Sequence, residues 1–241
     1  MQPIPLWTLQ IPDTIAGARQ KELYSLLSPA EQKRHDAMES FTRQKEYLLS
    51  HALARLKIAE VLKMPPADVP LLFEDNTKPS PIPGSLVPGH GSLVTGPWHL
   101  SLSHTHLLIA CALAPCPVGV DVEPVGRTKH IDDVARRMFH PTEADEVCAL
   151  IGDEKKLRFT QYWVLREAFY KASGMPLTDM IKGIVFNIDD DEKVQFTINH
   201  QPSTIPWQFS LTSPLPDHIM ALAVQGPLSH TIKDIQLTEI V

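Results

Sequence analysis

The stretch Trp163-Val-Leu-Arg166-Glu167-Ala-Phe-Tyr-Lys171-Ala-Ser-Gly174, set against Gly119-Val-Asp121-Val-Glu123 upstream, decides how this chain is read. Trp163, Glu167 and Lys171 recur every four residues and so share one face of a helix. Alternation along a strand sends Asp121 and Glu123 to one side, and Val120 and Val122 to the other. Two strand carboxylates and one helix carboxylate are the oxygen ligands a hard divalent cation takes. A lysine one turn beyond the third carboxylate suits phosphate, so the pattern reads as a magnesium site for a pyrophosphate. Each piece also has a plainer reading. Asp121 and Glu123 suit the end of an edge strand, and Glu167 with Lys171 suits a surface pair worth only ~0.3–0.5 kcal/mol. The combination favours the metal site over either piece alone.

The bulk properties remove whole classes of function. The chain has 241 residues and is 43% hydrophobic, enough for one large domain or two small ones. Twenty-two basic residues against 28 acidic ones give a net charge of −6, which argues against binding nucleic acid by phosphate neutralisation. Cys111, Cys116 and Cys148 are odd in number and lack zinc-ligand spacing, so buried thiols in a reducing compartment are expected. The segment Met1-Gln-Pro-Ile-Pro-Leu-Trp7 has neither a basic nor an apolar leader region, and the longest apolar run, 107–115, is too short to span a bilayer. A cytoplasmic protein without a membrane segment is the expectation.

Local signals outline the elements. Residues 4–11 alternate as a first strand, and Asp13 is placed to cap a helix reaching residue 27. Ser28-Pro29-Ala30-Glu31 carries serine at the N-cap, proline at N1 and glutamate at N3, a capping box. Helical periodicity covers 43–62, and short strands fall at 69–73 and 100–103. The apolar run 107–113 reads as a strand buried on both faces, joined to 119–123 by the turn Pro115-Cys-Pro117. Helices follow at 131–138, 141–150 and 154–173, the last closed by Gly174. Strands at 183–188, 194–198, 207–211 and 220–224 are expected to form one meander, with 226–241 a peripheral strand or tail. The segment 79–98, rich in proline and glycine, lacks periodicity and reads as an insertion. No internal repeat survives direct comparison of the sequence.

In its ordered motifs the chain resembles the 4′-phosphopantetheinyl transferases of the long, surfactin-synthetase-activating type. Gly119 to Glu123 matches that family's G-(I/V)-D-(I/V)-E strand, and Trp163 to Lys171 its W-x-x-K-E helix. Phe139-His-Pro-Thr-Glu143 resembles the F-x-x-x-E element, Leu100-Ser-Leu-Ser103-His104-Thr105 the F-N-x-S-H-S block, and Thr77-Lys78-Pro79 the G-K-P block. Residues 27–34 and 47–55 resemble the N-terminal helices. The likeness runs from about residue 20 to 225 in consistent order. It departs at Arg166, where the family has lysine; arginine keeps the charge but changes the geometry, so a phosphate contact fits and proton donation does not. Ser101 stands for an asparagine, and Thr77 for a glycine.

The resemblance implies an α+β fold of two similar halves, a pseudo-dimer with the active site between them. Residues 1–115 would form the half that meets the 3′-phosphate of coenzyme A, 116–225 the half with metal and pyrophosphate, and 226–241 a tail. It implies transfer of phosphopantetheine from coenzyme A to a serine of an apo carrier protein with an acidic recognition helix, by a monomer, releasing adenosine 3′,5′-bisphosphate. Carriers of fatty-acid and of secondary-metabolite synthesis fall within it alike. Asp121, Glu123 and Glu167 would hold magnesium, with manganese able to substitute, and Asp121 would also help to hold coenzyme A through that ion. Glu167 would also be the general base, and Lys171 would neutralise the pyrophosphate. Arg34, Lys78, Ser103, His104 and Arg166 would contact coenzyme A. Ser103 with His104 could suggest a hydrolase dyad, but neighbours on a strand point to opposite faces. A satisfied structural histidine is the plainer reading of His104. Trp163 and Phe139 are read as core, and for Glu143 at N3 after Pro141 helix capping competes with any catalytic role. Two other readings remain: a metal-dependent phosphohydrolase using the same carboxylates, and a catalytically weakened carrier-binding homologue.

Overall fold

The computed structural model describes residues 4–69, 71–72, 80–81, 98–174, 183–189, 191, 193–198, 206–226 and 230–235. The chain falls into two compact units, Ile4–Pro115 with His230–Val241, and Cys116–Ser229.

The first unit opens with strand β1 (Ile4–Gln10) and continues through helices α1 (Gly17–Ser25), α2 (Pro29–Asp36) and α3 (Phe41–Leu62). A short hairpin, β2 (Leu71–Leu72) with β3 (Ser80–Pro81), precedes β4 (His99–His104) and β5 (Leu108–Ala114). The second unit begins with β6 (Val118–Pro124) and has helices α4 (Ile131–Met138), α5 (Pro141–Ala149) and α6 (Gly152–Ser173). The hairpin β7 (Ile184–Ile188) and β8 (Val194–Ile198) leads to β9 (Trp207–Thr212) and β10 (His218–Gln225). One order of elements, a strand, three helices, a hairpin and two strands, therefore occurs twice. The sheets agree as well: β1 lies antiparallel to β5, with β4 beyond β5 and a further strand on the other side of β1, while β6 pairs β10 with β9 beyond. The further strand is β11 (His230–Ile235), parallel to β1 at the edge of the first sheet.

Both units are pinned by the same buried device. Ser28 caps α2: its hydroxyl accepts from the backbone N–H of Glu31, and its own backbone N–H donates to the Glu31 carboxylate, closing the capping box. His140 caps α5 in the same manner, with Glu143 at N3. Glu31 pairs with Arg55 on α3 and Glu143 with Arg166 on α6, and each arginine is the fifteenth residue of a 22-residue helix. Each arginine also donates to a carbonyl where the chain enters the following hairpin, Val69 at 3.0 Å and Ile184 at 3.1 Å. A buried ion pair persists only when its remaining donors and acceptors are also satisfied, and both pairs meet that demand. His51 adds a contact to Glu31 at 2.9 Å, and the backbone N–H of Phe186 adds one to Glu143 at 2.6 Å.

The expected cores form, with adjustments. β5 is buried at every position, as its apolar run requires. In the first unit Trp7, Leu23, Leu49, Leu53 and Ile109 pack together; in the second, Phe169, Phe186, Phe196 and Phe209 lie with ring centroids about 5–6 Å apart. Asp13 does not cap α1, which starts after Ala16 without a side-chain cap. The four late strands do not make one meander. β7 and β8 stand apart as a two-stranded sheet, while β9 and β10 join β6, because β6 offers β10 an edge with seven residues in register. Cys111 is buried, but Cys116 and Cys148 are only half-buried. Among the described residues, no helix is long and apolar enough to cross a membrane.

Candidate active site

Close approach of β6 to α6 builds the site. A Cβ on Gly119 would lie 1.9 Å from the carbonyl oxygen of Ala168 and 2.7 Å from the amide nitrogen of Ala172. Only glycine lets strand and helix backbones meet this way. Gly119, Asp121 and Glu123 share a strand face, so both carboxylates are presented to the helix. Gly119 sits under Ala168 and Ala172, whereas Glu123 shares a cavity wall with Thr160 and Trp163. Strand and helix thus run in opposite directions, and half-buried Glu167, between those two levels, stands at the level of Asp121.

Asp121 is buried, and its Oδ1 receives Lys171 Nζ at 2.7 Å; the same ammonium donates to the carbonyl of Val120 at 3.1 Å. Glu123 is held by Arg127, one guanidinium nitrogen lying 2.6 and 2.5 Å from its two oxygens. Burial pushes the Glu123 carboxyl above the ordinary range; Arg127 pulls it down, and the charge of Asp121 pushes it up again. Two carboxylates are crowded on one strand, and each is matched by its own cation. Among the described residues no group of three or more histidine, cysteine, aspartate or glutamate side chains is gathered closely enough to hold a metal. Magnesium nevertheless keeps several waters and is commonly bound by one or two carboxylates with substrate phosphates. Asp121 and Glu123 fit that demand, with Glu167 on the facing helix.

Beside Glu123 lies a cavity of about 230 Å³ lined also by Pro124, Arg127, Thr128, Phe159, Thr160 and Trp163. Trp163 stacks on Phe159 with centroids 6.0 Å apart at 18°, so it is not simply core: it packs inward on one side and walls this cavity on the other.

Arg166 requires a correction. It was expected at phosphate, but the position before Glu167 turns away from the carboxylates into the interior. Its Nη1 donates to Glu143 Oε1 at 3.3 Å, Nη2 donates to Glu143 Oε2 and to Ile184 O, and Nε donates to Met138 O. The guanidinium is sandwiched between Phe139 and Phe186, 5.0 and 5.4 Å from their centroids. Burial lowers the Arg166 pKa and raises that of Glu143 against their mutual attraction.

The remaining expected contacts lie in the first unit. Arg34 is exposed on α2. Ser103 is buried near the end of β4 while His104 is exposed, its Nδ1 3.7 Å from Glu46, so the pair faces opposite ways as strand geometry demands. Lys78 lies outside the described residues. Sequence reasoning missed Arg127; the available signal was a basic residue four positions after Glu123, just past a glycine.

Residues 117–223 match the family model described as the 4′-phosphopantetheinyl transferase superfamily. Through this segment the chain is similar to that superfamily. The match takes in β6, all three helices of the second unit and most of β10, hence both carboxylates, Glu167 and Lys171. A 4′-phosphopantetheinyl transferase from Bacillus subtilis is 29% identical over 109 residues, 44% of this chain and 48% of that protein. The 4′-phosphopantetheinyl transferase HetI from a Nostoc species is 26% identical over 172 residues, 71% of this chain and 68% of that protein. The chain thus spans about half the length of the first relative and about two thirds of the second. A crystal structure of a holo-(acyl-carrier-protein) synthase from Bacillus anthracis in complex with CoA superposes with a TM-score of 0.40 at 18% identity, over 48% of this chain and 97% of that one.

Proposed function

We propose that the protein transfers 4′-phosphopantetheine from coenzyme A to a serine hydroxyl of an apo carrier protein. The supporting observation is the apposition of β6 and α6, which sets Asp121 and Glu123 beneath a helix face bearing Glu167 and Lys171. In the reaction the serine oxygen bonds to the β-phosphorus, and the bond from that phosphorus to the bridging oxygen breaks. Adenosine 3′,5′-bisphosphate leaves with the electron pair. Such a transfer needs position and charge neutralisation more than covalent catalysis.

Asp121 and Glu123 would hold magnesium, with Glu167 as the third carboxylate, and that ion would neutralise charge on the pyrophosphate oxygens. Glu167, half-buried on α6, would accept the serine proton. Lys171, already poised as an ammonium on Asp121, would neutralise the pyrophosphate from the helix side. Arg34, Lys78, Ser103 and His104 are assigned to the nucleotide end of coenzyme A by family likeness. The acidic recognition helix of the carrier, action as a monomer and a cytoplasmic setting belong to the same reading.

The test is the mass of an apo carrier protein after incubation with coenzyme A, magnesium and this protein. The carrier should gain one phosphopantetheine at its serine, and Asp121→Asn should suppress the gain. A carrier unchanged in mass across acyl, peptidyl and aryl types would overturn the assignment.

A further inference from the structure

The two acidic residues of β6 have unlike counter-ions. Lys171 is only 19% exposed and also donates to Val120 O, so two contacts hold it beside Asp121. Arg127 is 65% exposed and follows Gly126, which holds the left-handed φ of +81° in the turn leaving β6. An exposed guanidinium that gives up its carboxylate is rehydrated at little cost, whereas a buried ammonium is not. Arg127 is also the residue that both grips Glu123 and lines the cavity beside Thr128, Phe159 and Trp163.

Resting on the metal reading above, we propose that Arg127 is a displaceable counter-ion: it occupies Glu123 in the metal-free protein and yields that carboxylate to the divalent cation. Its released guanidinium then donates to a pyrophosphate oxygen of coenzyme A at the mouth of the cavity. Arg127 is therefore a competitor of the metal before coenzyme A arrives and a partner of the phosphate afterwards. That reversal of sign separates it from an ordinary surface ion pair.

Manganese binding to the full chain, read from loss of the free-ion electron paramagnetic resonance signal, tests the first half. Without coenzyme A, Arg127→Ala should bind manganese about three- to tenfold more tightly, the competition expected of one partly screened ion pair. Arg127→Lys, which keeps the charge, should stay near the unmodified protein. Lys156→Ala removes an equal charge beside Gly126 without touching Glu123 and should change the affinity less than twofold. In the second half, calorimetric titration with coenzyme A in saturating manganese should show Arg127→Ala weakened several-fold. Unchanged or weaker manganese binding by Arg127→Ala overturns the proposal, as does equal tightening by Lys156→Ala. Unchanged coenzyme A affinity overturns the phosphate contact. Asp121→Asn reports separately on the site itself: manganese binding unaffected by that change would refute the metal reading, not the role of Arg127 alone.

Discussion

Glu31 and Arg166 show how a charged side chain becomes architecture. Burial alone would raise the Glu31 pKa, but donations from His51, Arg55 and Ser28 win, pulling it from 4.5 down to about 2. A carboxylate whose folded pKa is depressed contributes stability that is complete above its unfolded pKa and lost as pH falls through the folded value. The window is therefore pH 4.5 to 2, and the contribution is about 3 kcal/mol. His51 acts earlier: burial lowers its pKa, so stability begins to fall once pH drops below the ordinary histidine value of 6.5. Acid unfolding followed by circular dichroism should show Glu31→Gln losing much less stability between pH 4.5 and 2 than the unmodified protein; parallel curves would contradict the assignment. Arg166→Met should cost about 3–5 kcal/mol in urea unfolding, because it strands Glu143 in the interior. At temperatures where the variant is folded, its KM for coenzyme A should be unchanged, since the buried guanidinium of Arg166 already makes four donations within the interior; a raised KM with intact stability would restore the phosphate role. Neither hub was legible as such. The capping signature at Ser28 was plain, but its partners lie 20 and 24 residues away, and helix periodicity does not say which arginine turns inward.

Helices were the most legible elements because their start and stop signals are local. Proline and glutamate after Ser28 and after His140 give both short helices their first turns, and Gly174, at φ +66°, ends α6 where expected. Strand partnership was less legible, since alternation fixes the faces of a strand and not its neighbour. Residues 183–188 and 207–211 alternate equally well, yet among the described residues one strand pairs with β8 alone and the other joins the sheet of β6. The glycine of the Gly119-Val-Asp121-Val-Glu123 stretch is a packing requirement that the sequence displays but does not explain. Gly119→Ala places a methyl group where Ala168 O and Ala172 N already stand, so α6 must shift from β6. Overpacking of this kind costs about 1–3 kcal/mol or more, and the shift would separate Lys171 from Asp121. Loss of both thermal stability and manganese affinity is expected. A variant that keeps its manganese affinity would show that the site does not depend on this strand–helix contact.

Two units with one element order, one sheet order and one buried Glu–Arg device divide the labour unequally. Counted from the first residue of each 22-residue helix, Leu56 stands where the second unit has Glu167, and Glu60 where it has Lys171. The first unit therefore keeps the scaffold without the carboxylate–lysine face, which is why direct comparison of the sequence finds no repeat: the shared residues are few, and the ones that differ include those proposed for the chemistry. Each unit has a core of its own, so thermal unfolding can report on which of them a ligand holds. Coenzyme A with magnesium at a hundredfold excess over its dissociation constant should add about 2.7 kcal/mol, raising the melting temperature by about 5–10 °C for a chain of this size. The gain should require both ligands, because the pyrophosphate and the β6 carboxylates are both negative and repel without the cation. Asp121→Asn should abolish the gain. Should Arg34 and His104 contact the nucleotide as proposed, His104→Ala should reduce the shift while leaving its magnesium requirement intact. A shift with coenzyme A alone, as large as with magnesium, would mean that the nucleotide is held without the carboxylates, and the metal reading of Asp121 and Glu123 would have to be given up.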